Sequence, residues 1–188
     1  YSYDQAGRLA VVSSPHNPAT GAAGDAAGYQ FGIDPAQVAS IRYTNLASLR
    51  LTTTRTYDRL SRLAAITSVT PGALAPVMAF TYDQNSKDQR VRVTQTDGSY
   101  WLYEYDRAGQ MTSARKYWRD GARVAGMQFD YAFDDVGNRV DEVSGGDVAG
   151  QGRLTTSHSV NQLNQEVIRG NPGVAALSGL ARVAQPVT

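Results

Sequence analysis

The sequence predicts an all-β chain: antiparallel strand–turn–strand repeats that join edge to edge into a curved sheet ribbon. Three observations carry this. First, a short phrase recurs, as Tyr3-Asp4-Gln5-Ala6-Gly7-Arg8-Leu9, then Tyr57-Asp58-Arg59-Leu60-Ser61-Arg62-Leu63. It returns from Tyr82-Asp83, as Tyr105-Asp106-Arg107-Ala108-Gly109-Gln110-Met111, and as Phe133-Asp134-Asp135-Val136-Gly137-Asn138-Arg139. A period of this length marks units that cannot bury an apolar face alone and must stack on their neighbours. Second, the runs between phrases are rich in aromatic and β-branched residues and hold no interior proline. Third, tight hairpin signals separate them, Asp97-Gly98 and Asp120-Gly121 above all.

Taken in order, the marker aromatics Tyr3, Tyr57, Tyr82, Tyr105 and Phe133 are separated by 54, 25, 23 and 28 residues. The first gap is double the others and is expected to hide a divergent copy, with strands near Tyr29-Gln30-Phe31 and Ile41-Arg42-Tyr43. Downstream strands are expected over Arg8 to Ser14, Arg62 to Thr70 and Gln110 to Trp118. The clearest upstream strand is Ser99 to Tyr105. A weak further copy centres on Val160-Asn161-Gln162-Leu163-Asn164-Gln165. The repeat region therefore spans 1–170. It is broken by a Pro-, Gly- and Ala-rich loop near 15–28 and a Gly-rich loop near 145–152, the latter followed by a short strand from Leu154. The small apolar tail, 171–188, reads equally as a helix or as strands of a further repeat. A chain that opens on Tyr1-Ser2-Tyr3-Asp4 opens inside a repeat, so it is expected to be a slice of a longer array.

The recurring phrase has a physical reading. An aspartate can accept hydrogen bonds from amides just beyond it and fix a bend. A glycine three residues later supplies the positive φ that the bend needs. Gly7, Gly109 and Gly137 keep that offset, whereas Ser61 should strain or reshape its turn. In the third copy, Asn85-Ser86-Lys87-Asp88 suggests an inserted pair of residues. Alternation in 99–105 is incomplete: Tyr100, Leu102 and Glu104 fall on one face, Trp101, Tyr103 and Tyr105 on the other. Mixed faces suit a sheet that walls a cavity.

Composition narrows the function. The net charge is +1, carried by arginines spread along the chain with only Lys87 and Lys116 beside them, so a nucleic-acid partner has no bulk support. Spaced arginines can instead cover aromatic rings or pair with turn aspartates. With no cysteine, disulfides, thiolate metal sites and cysteine nucleophiles are excluded. No apolar run is long enough to span a membrane as a helix.

These phrases resemble the tyrosine–aspartate repeats, also called Rhs repeats, over residues 1–170. The resemblance implies a long β-ribbon that spirals into a hollow shell. In bacterial members the shell encloses a variable C-terminal toxin, and similar shells occur in insecticidal toxin complexes and in the adhesive teneurins. It also implies residue roles. Tyr3, Tyr57, Tyr82, Tyr105 and Phe133 would be packing aromatics beside the turns. Asp4, Asp58, Asp83, Asp106 and Asp134 would cap them, Gly7, Gly109 and Gly137 would permit them, and Arg8, Arg62 and Arg139 would hold the basic position. The expected partners are the remaining repeats and a C-terminal domain of the same parent protein, with glycans or a cell-surface receptor as further candidates, in a secreted or surface-exposed setting. The self-cleaving aspartyl segment of bacterial members, with its Asp-Pro-x-Gly phrase, has no counterpart in this sequence.

Catalysis finds little purchase. The paired carboxylates Asp134-Asp135 and Asp141-Glu142 would suit a glycoside hydrolase only if two acids converged on one cleft. Because aspartate recurs at the same phase in other copies, turn capping is the better reading. His16 and His158 lie far apart without metal-ligand spacing. Val143-Ser144-Gly145-Gly146 is not a nucleophile elbow, and one incomplete Gly145-Gly146-Asp147 does not make a calcium repeat. No cofactor is expected. Trp101 and Trp118, amid Tyr100, Tyr103, Tyr105 and Tyr117, form the best candidate binding face for sugars; cross-strand packing is the competing role. A sugar-binding face should expose one of the tryptophans beside Arg or Asp. The leading expectation is a non-catalytic shell segment that encloses or presents a partner or toxin domain. A carbohydrate-binding or adhesive array is the alternative, and a hydrolase the remote one.

Overall fold

The computed structural model describes residues 1–14, 24–163 and 165–170. His16, most of the loop near 15–28 and the tail 171–188 lie outside the described residues. The described residues form fourteen strands in one antiparallel sheet whose order in space is its order in sequence. They are β1 (Ser2–Tyr3), β2 (Leu9–Ser13), β3 (Ala26–Phe31), β4 (Val38–Asn45), β5 (Ser48–Tyr57), β6 (Leu63–Val69) and β7 (Met78–Gln84). There follow β8 (Arg90–Gln95), β9 (Tyr100–Tyr105), β10 (Met111–Tyr117), β11 (Arg123–Phe133), β12 (Arg139–Gly145), β13 (Arg153–Val160) and β14 (Glu166–Gly170). Among the described residues each strand packs only against the strands before and after it. The fold is thus quasi-one-dimensional, as stacking repeats require.

The hidden copy is the β3–β4 hairpin. Its turn is longer than its siblings, closed by Gly32 N–H to Gln37 C=O and by Gln37 N–H to Asp34 C=O. The strand expected to be short from Leu154 is eight residues long, because β13 finds a full partner in β12 over 153–157.

Register sorts side chains that the sequence leaves mixed. Cross-strand partners place Tyr29, Ile41, Ile66, Phe80, Tyr82, Val93, Trp101, Tyr103, Phe129 and Tyr131 on one face. The other face carries Thr52, Thr54, Thr67, Thr94, Arg92, Arg115, Asp130 and Asp141 along the same strands. With no second layer, burial is sparse: among the described residues Ile41, Val93 and Ala114 are the buried apolar side chains, all on the aromatic face. Two buried hydroxyls on that face, Thr53 Oγ1 and Ser68 Oγ, satisfy each other at 2.9 Å. On the polar face Asp130 accepts from Arg115 at 2.6 Å and also from Arg153, tying β10 through β13.

One end of the sheet differs from the other. At each hairpin turn at that end the pairing skips one residue of the downstream strand: Ala10, Ala39, Ala64, Val91, Thr112, Val140 and Val167. At the opposite end two such shifts occur among the described residues, between Tyr43 and Thr44 and between Arg115 and Tyr117. A bulge bends its strand and adds twist. Bulges in phase along one end bend the ribbon there, so the sheet is curved.

Candidate functional site

The seven hairpins place their bulged turns in a row along one end of the strands. Among the described residues the turns capped by Asp4, Asp58, Asn85, Asp106 and Asp134 share one geometry, and the Asp134 turn shows it plainly. Asp134 N–H donates to Asn138 C=O at 2.9 Å, and Gly137 N–H donates to Asp134 C=O at 3.1 Å. The side chain then takes the two inward amides: Asp134 Oδ1 accepts from Val136 N at 3.1 Å and Asn138 N at 2.8 Å. This is a type I turn whose last residue enters the left-handed region. Gly7 (φ 76°), Gly109 (φ 89°) and Gly137 (φ 93°) occupy that position. Ser61 holds it at φ 61° with the turn's bonds intact, so the turn is strained and keeps its shape.

Two expected positions move. Asp83 lies in β7 opposite Arg92 and caps nothing. The third turn belongs to Asn85, whose Oδ1 accepts from Lys87 N at 2.9 Å and Gln89 N at 3.1 Å, with Asp88 at φ 61° in the glycine position. The register slips because an asparagine amide oxygen caps as an aspartate does, while the Tyr-Asp pair two residues earlier is strand. Tyr82 accordingly packs in the strand under Arg90, 4.3 Å from its ring centre. Arg139 is likewise out of phase with Arg8 and Arg62: it sits one residue later, in β12, paired with Glu142 at 3.1 Å and over Tyr131.

The residue four positions after the cap links one turn to the next. Arg8 grips Asp4 through Nε and Nη2, each at 2.7 Å, and its Nη1 donates to Pro35 C=O of the next turn. Arg62 grips Asp58 at 2.7 and 2.6 Å and reaches Asn85 C=O and Asp88 Oδ1, both at 2.9 Å. Such two-pronged pairs fix the guanidinium plane and so aim its remaining nitrogen. Gln37 in the longer turn does the same with an amide, donating to Ser61 C=O at 3.2 Å. Gln89 Nε2 lies 3.4 Å from where a Cβ on Gly109 would stand, and Gln110 Nε2 lies 2.9 Å from that position on Gly137. The sequence reading missed Gln37, Gln89 and Gln110 as connectors. Gln89 and Gln110 share with Arg8 and Arg62 the offset of four from the cap, which was the signal available, whereas Gln37 stands three after Asp34 in the longer turn.

Electrostatics follow from these contacts. The Arg8 amide and guanidinium hold Asp4 below the ordinary value of 3.8. The Arg62 guanidinium and amide do so for Asp58, and the Asn138 side chain and amide for Asp134. The other marker aromatics end their strands beside the caps: Tyr3 is exposed, Tyr57 Oη donates to Val38 C=O at 3.1 Å and Tyr105 Oη to Arg90 C=O at 2.8 Å. Phe133 lines two shallow hollows beside the Asp106 and Asp134 turns.

At the other end of the sheet the loop near 145–152 contains a further Asp turn that the phrase conceals, because no tyrosine precedes it. Asp147 Oδ1 accepts from Ala149 N and Gln151 N, and the turn packs over the buried Gln128, whose Nε2 donates to Asp147 C=O at 2.8 Å.

The candidate acids are engaged separately. Asp134 caps its turn, Asp141 accepts from Ser157 Oγ at 2.7 Å, and Glu142 pairs with Arg139. Adjacent in one strand, Asp141 and Glu142 point to opposite faces. His158 Nδ1 contacts Glu166 at 2.8 Å. Among the described residues no group of three or more His, Asp or Glu side chains could hold a metal ion. Trp101 is packed between Tyr103 and Phe129, each ring 6.2 Å away, whereas Trp118 is half exposed at a turn. What the described residues show is a row of capped turns braced laterally along one end of the sheet.

Residues 85–123 match the RHS repeat family model. No curated protein matches the chain. Among solved structures, the fold is similar to the crystal structure of TcdB2-TccC3-Cdc42, with a TM-score of 0.69 at 12% identity over 88% of this chain and 9% of that one. TcdB2-TccC3-TEV gives 0.66 at 12% identity over 89% of this chain and 9% of that one. TcdB2-TccC3 without its hypervariable C-terminal region gives 0.54 at 14% identity over 88% and 10%. The chain thus has the RHS/YD-repeat fold and spans about a tenth of the length of these structures.

Proposed function

We propose that this chain is a wall segment of a hollow β-shell that encloses or presents a partner domain, a toxin domain by analogy with the similar complexes. The observation that carries this is the row of braced, bulged turns along one end of a single-layer sheet. Such a sheet has no core of its own to stabilise a site. Its curvature and lateral continuity serve a larger enclosure. The partners in this reading are further hairpins of the same polypeptide, pairing on the outer edges of β1 and β14, and a domain held on one face. The setting is secreted or cell-surface, and residues 1–170 act as one repeat region.

The test is electron microscopy of the full-length polypeptide that contains this segment, with limited proteolysis alongside. A closed shell with internal density, and an enclosed domain resistant to protease until the wall is opened, is the expected result. An open, extended array with all domains equally cleavable would overturn the reading and favour an adhesive repeat.

A further inference from the structure

We propose that the hollow between the Asp106 and Asp134 turns receives an arginine side chain from a partner polypeptide. The proposal goes beyond the wall reading and stands or falls separately from it. The sibling turns supply the template. Arg8 is held by three groups: the Asp4 carboxylate at 2.7 Å, Pro35 C=O of the next turn at 3.2 Å, and the Phe31 ring, whose centre lies 4.2 Å from the guanidinium carbon. Arg62 is held by the Asp58 carboxylate and, from the next turn, by Asn85 C=O and the Asp88 carboxylate. The chain thus builds a guanidinium receptor between successive turns, and at these two it fills the receptor with its own arginine four residues after the cap. Four residues after Asp106 stands the shorter Gln110. Its Nε2 lies 2.9 Å from where a Cβ on Gly137 would stand, against the neighbouring turn instead.

The other parts of the receptor are in place. Asp106 Oδ1 accepts from Gln110 N at 2.9 Å, and its second oxygen takes no donor among the described residues. At the four other turns of this geometry the second side-chain atom of the cap is engaged, by Arg8, Arg62, Gln89 and Asn138. Phe133 ends β11 at its bulge as Phe31 ends β3 at its own. Asp135 follows its cap as Pro35 follows Asp34, so it offers the corresponding carbonyl, and its carboxylate has no partner among the described residues. Asp106, Gln110, Phe133 and Asp135 line one hollow of about 590 Å³. Arg107 lines it too and makes no ion pair among the described residues. An ammonium is a point charge, whereas a guanidinium is a planar fork that can lie on a ring face while its nitrogens meet a carboxylate on one side and a carbonyl on the other. Two uncommitted carboxylates repel an anionic partner. The ligand that fits is therefore arginine.

The test follows glycine amide signals of the chain in a proton–nitrogen spectrum. Nα-acetyl-arginine amide, its lysine and citrulline counterparts, and free arginine are titrated separately. The Gly109 and Gly137 signals, from the two turns that flank the hollow, should move saturably with the capped arginine. One side chain makes few contacts, so the affinity should be millimolar. The Gly7 signal should stay, because its turn already holds Arg8. The lysine and citrulline forms should bind several-fold more weakly. Asp106→Asn keeps the turn, since Asn85 caps in the same way, and should weaken binding several-fold. Gln110→Arg should fill the hollow from within and abolish binding. No saturable movement with the capped arginine overturns the proposal, as does equal binding of the lysine or citrulline form, or unchanged binding in either variant. Free arginine binding more tightly than the capped form would assign the hollow to a metabolite and overturn the partner.

Discussion

Replacing Gly137 with alanine should destabilise the chain by about 2 kcal/mol, and the cost has two separable parts. The residue sits at φ 93°, where an L side chain costs about 1–2 kcal/mol. Alanine's stiffer unfolded state returns about 0.4–1 kcal/mol of that. The rest comes from the seam: the new Cβ would stand 2.9 Å from Gln110 Nε2, so the glutamine must leave its place, at about 0.5–1.5 kcal/mol for a displaced rotamer. Gly109 is the internal control. It has φ 89°, but the facing Gln89 Nε2 is 3.4 Å away, so Gly109→Ala should cost about 1 kcal/mol, the backbone part alone. Urea unfolding followed by circular dichroism reads the difference, provided the slope with denaturant is unchanged. A double-mutant cycle with Gln110→Ala then isolates the contact, with an expected coupling of about 1 kcal/mol. Equal costs at Gly109 and Gly137, or zero coupling, would refute the view that side chains of one turn are seated against the next.

Ser61→Gly removes an unfavourable φ without disturbing the bonds around it, and should raise stability by about 0.5–1 kcal/mol in the same measurement. Asn85→Ala should cost about 1 kcal/mol by leaving two turn amides without their acceptor. Asp83→Ala should stay within about 0.5 kcal/mol, and the reverse ranking would restore Asp83 as the cap. For pH, Asp4, Asp58 and Asp134 are held below 3.8 when folded, so their contribution is fully present above that value and lost as pH falls through the lowered one. A stability profile flat above pH about 5 and falling below about 4 is expected. Asp58→Asn should shallow the fall, and an unchanged profile would show that these caps do not couple to folding. Finally, the outer edges of β1 and β14 carry no strand among the described residues, so the isolated chain should associate with rising concentration in sedimentation. A monodisperse monomer would contradict this.

Much of the sheet was legible because its repeat is chemical as well as geometric. Asp4, Asp58, Asp106 and Asp134 announce turns whose amides need an acceptor at one offset, and Gly7, Gly109 and Gly137 announce the positive φ. Where the chemistry is carried by a substitute, the phrase fails. Asn85 caps as an aspartate would but hides behind the strand pair Tyr82-Asp83. Asp147 caps without a tyrosine. Arg139 borrows the look of Arg8 and Arg62 one residue out of place. The candidate site was harder to see. Trp101 and Trp118 are alike in sequence, and only the ring neighbours supplied by other strands among the described residues, Phe129 for Trp101 and none for Trp118, separate a packed ring from an open one.

By itself, then, the sequence determined the fold class, the repeat and the hairpin turns, since each depends on interactions within a few residues of the chain. The tertiary structure decided what depends on register. It placed Tyr29, Ile41, Phe80, Trp101 and Phe129 on a common face, aimed Arg8 and Arg62 past their own aspartates onto the next turn, and aligned seven bulges along one end. Those relations join residues 20–30 positions apart through strand pairing. A slip of one residue, invisible to composition or propensity, would turn the same side chains to the opposite face.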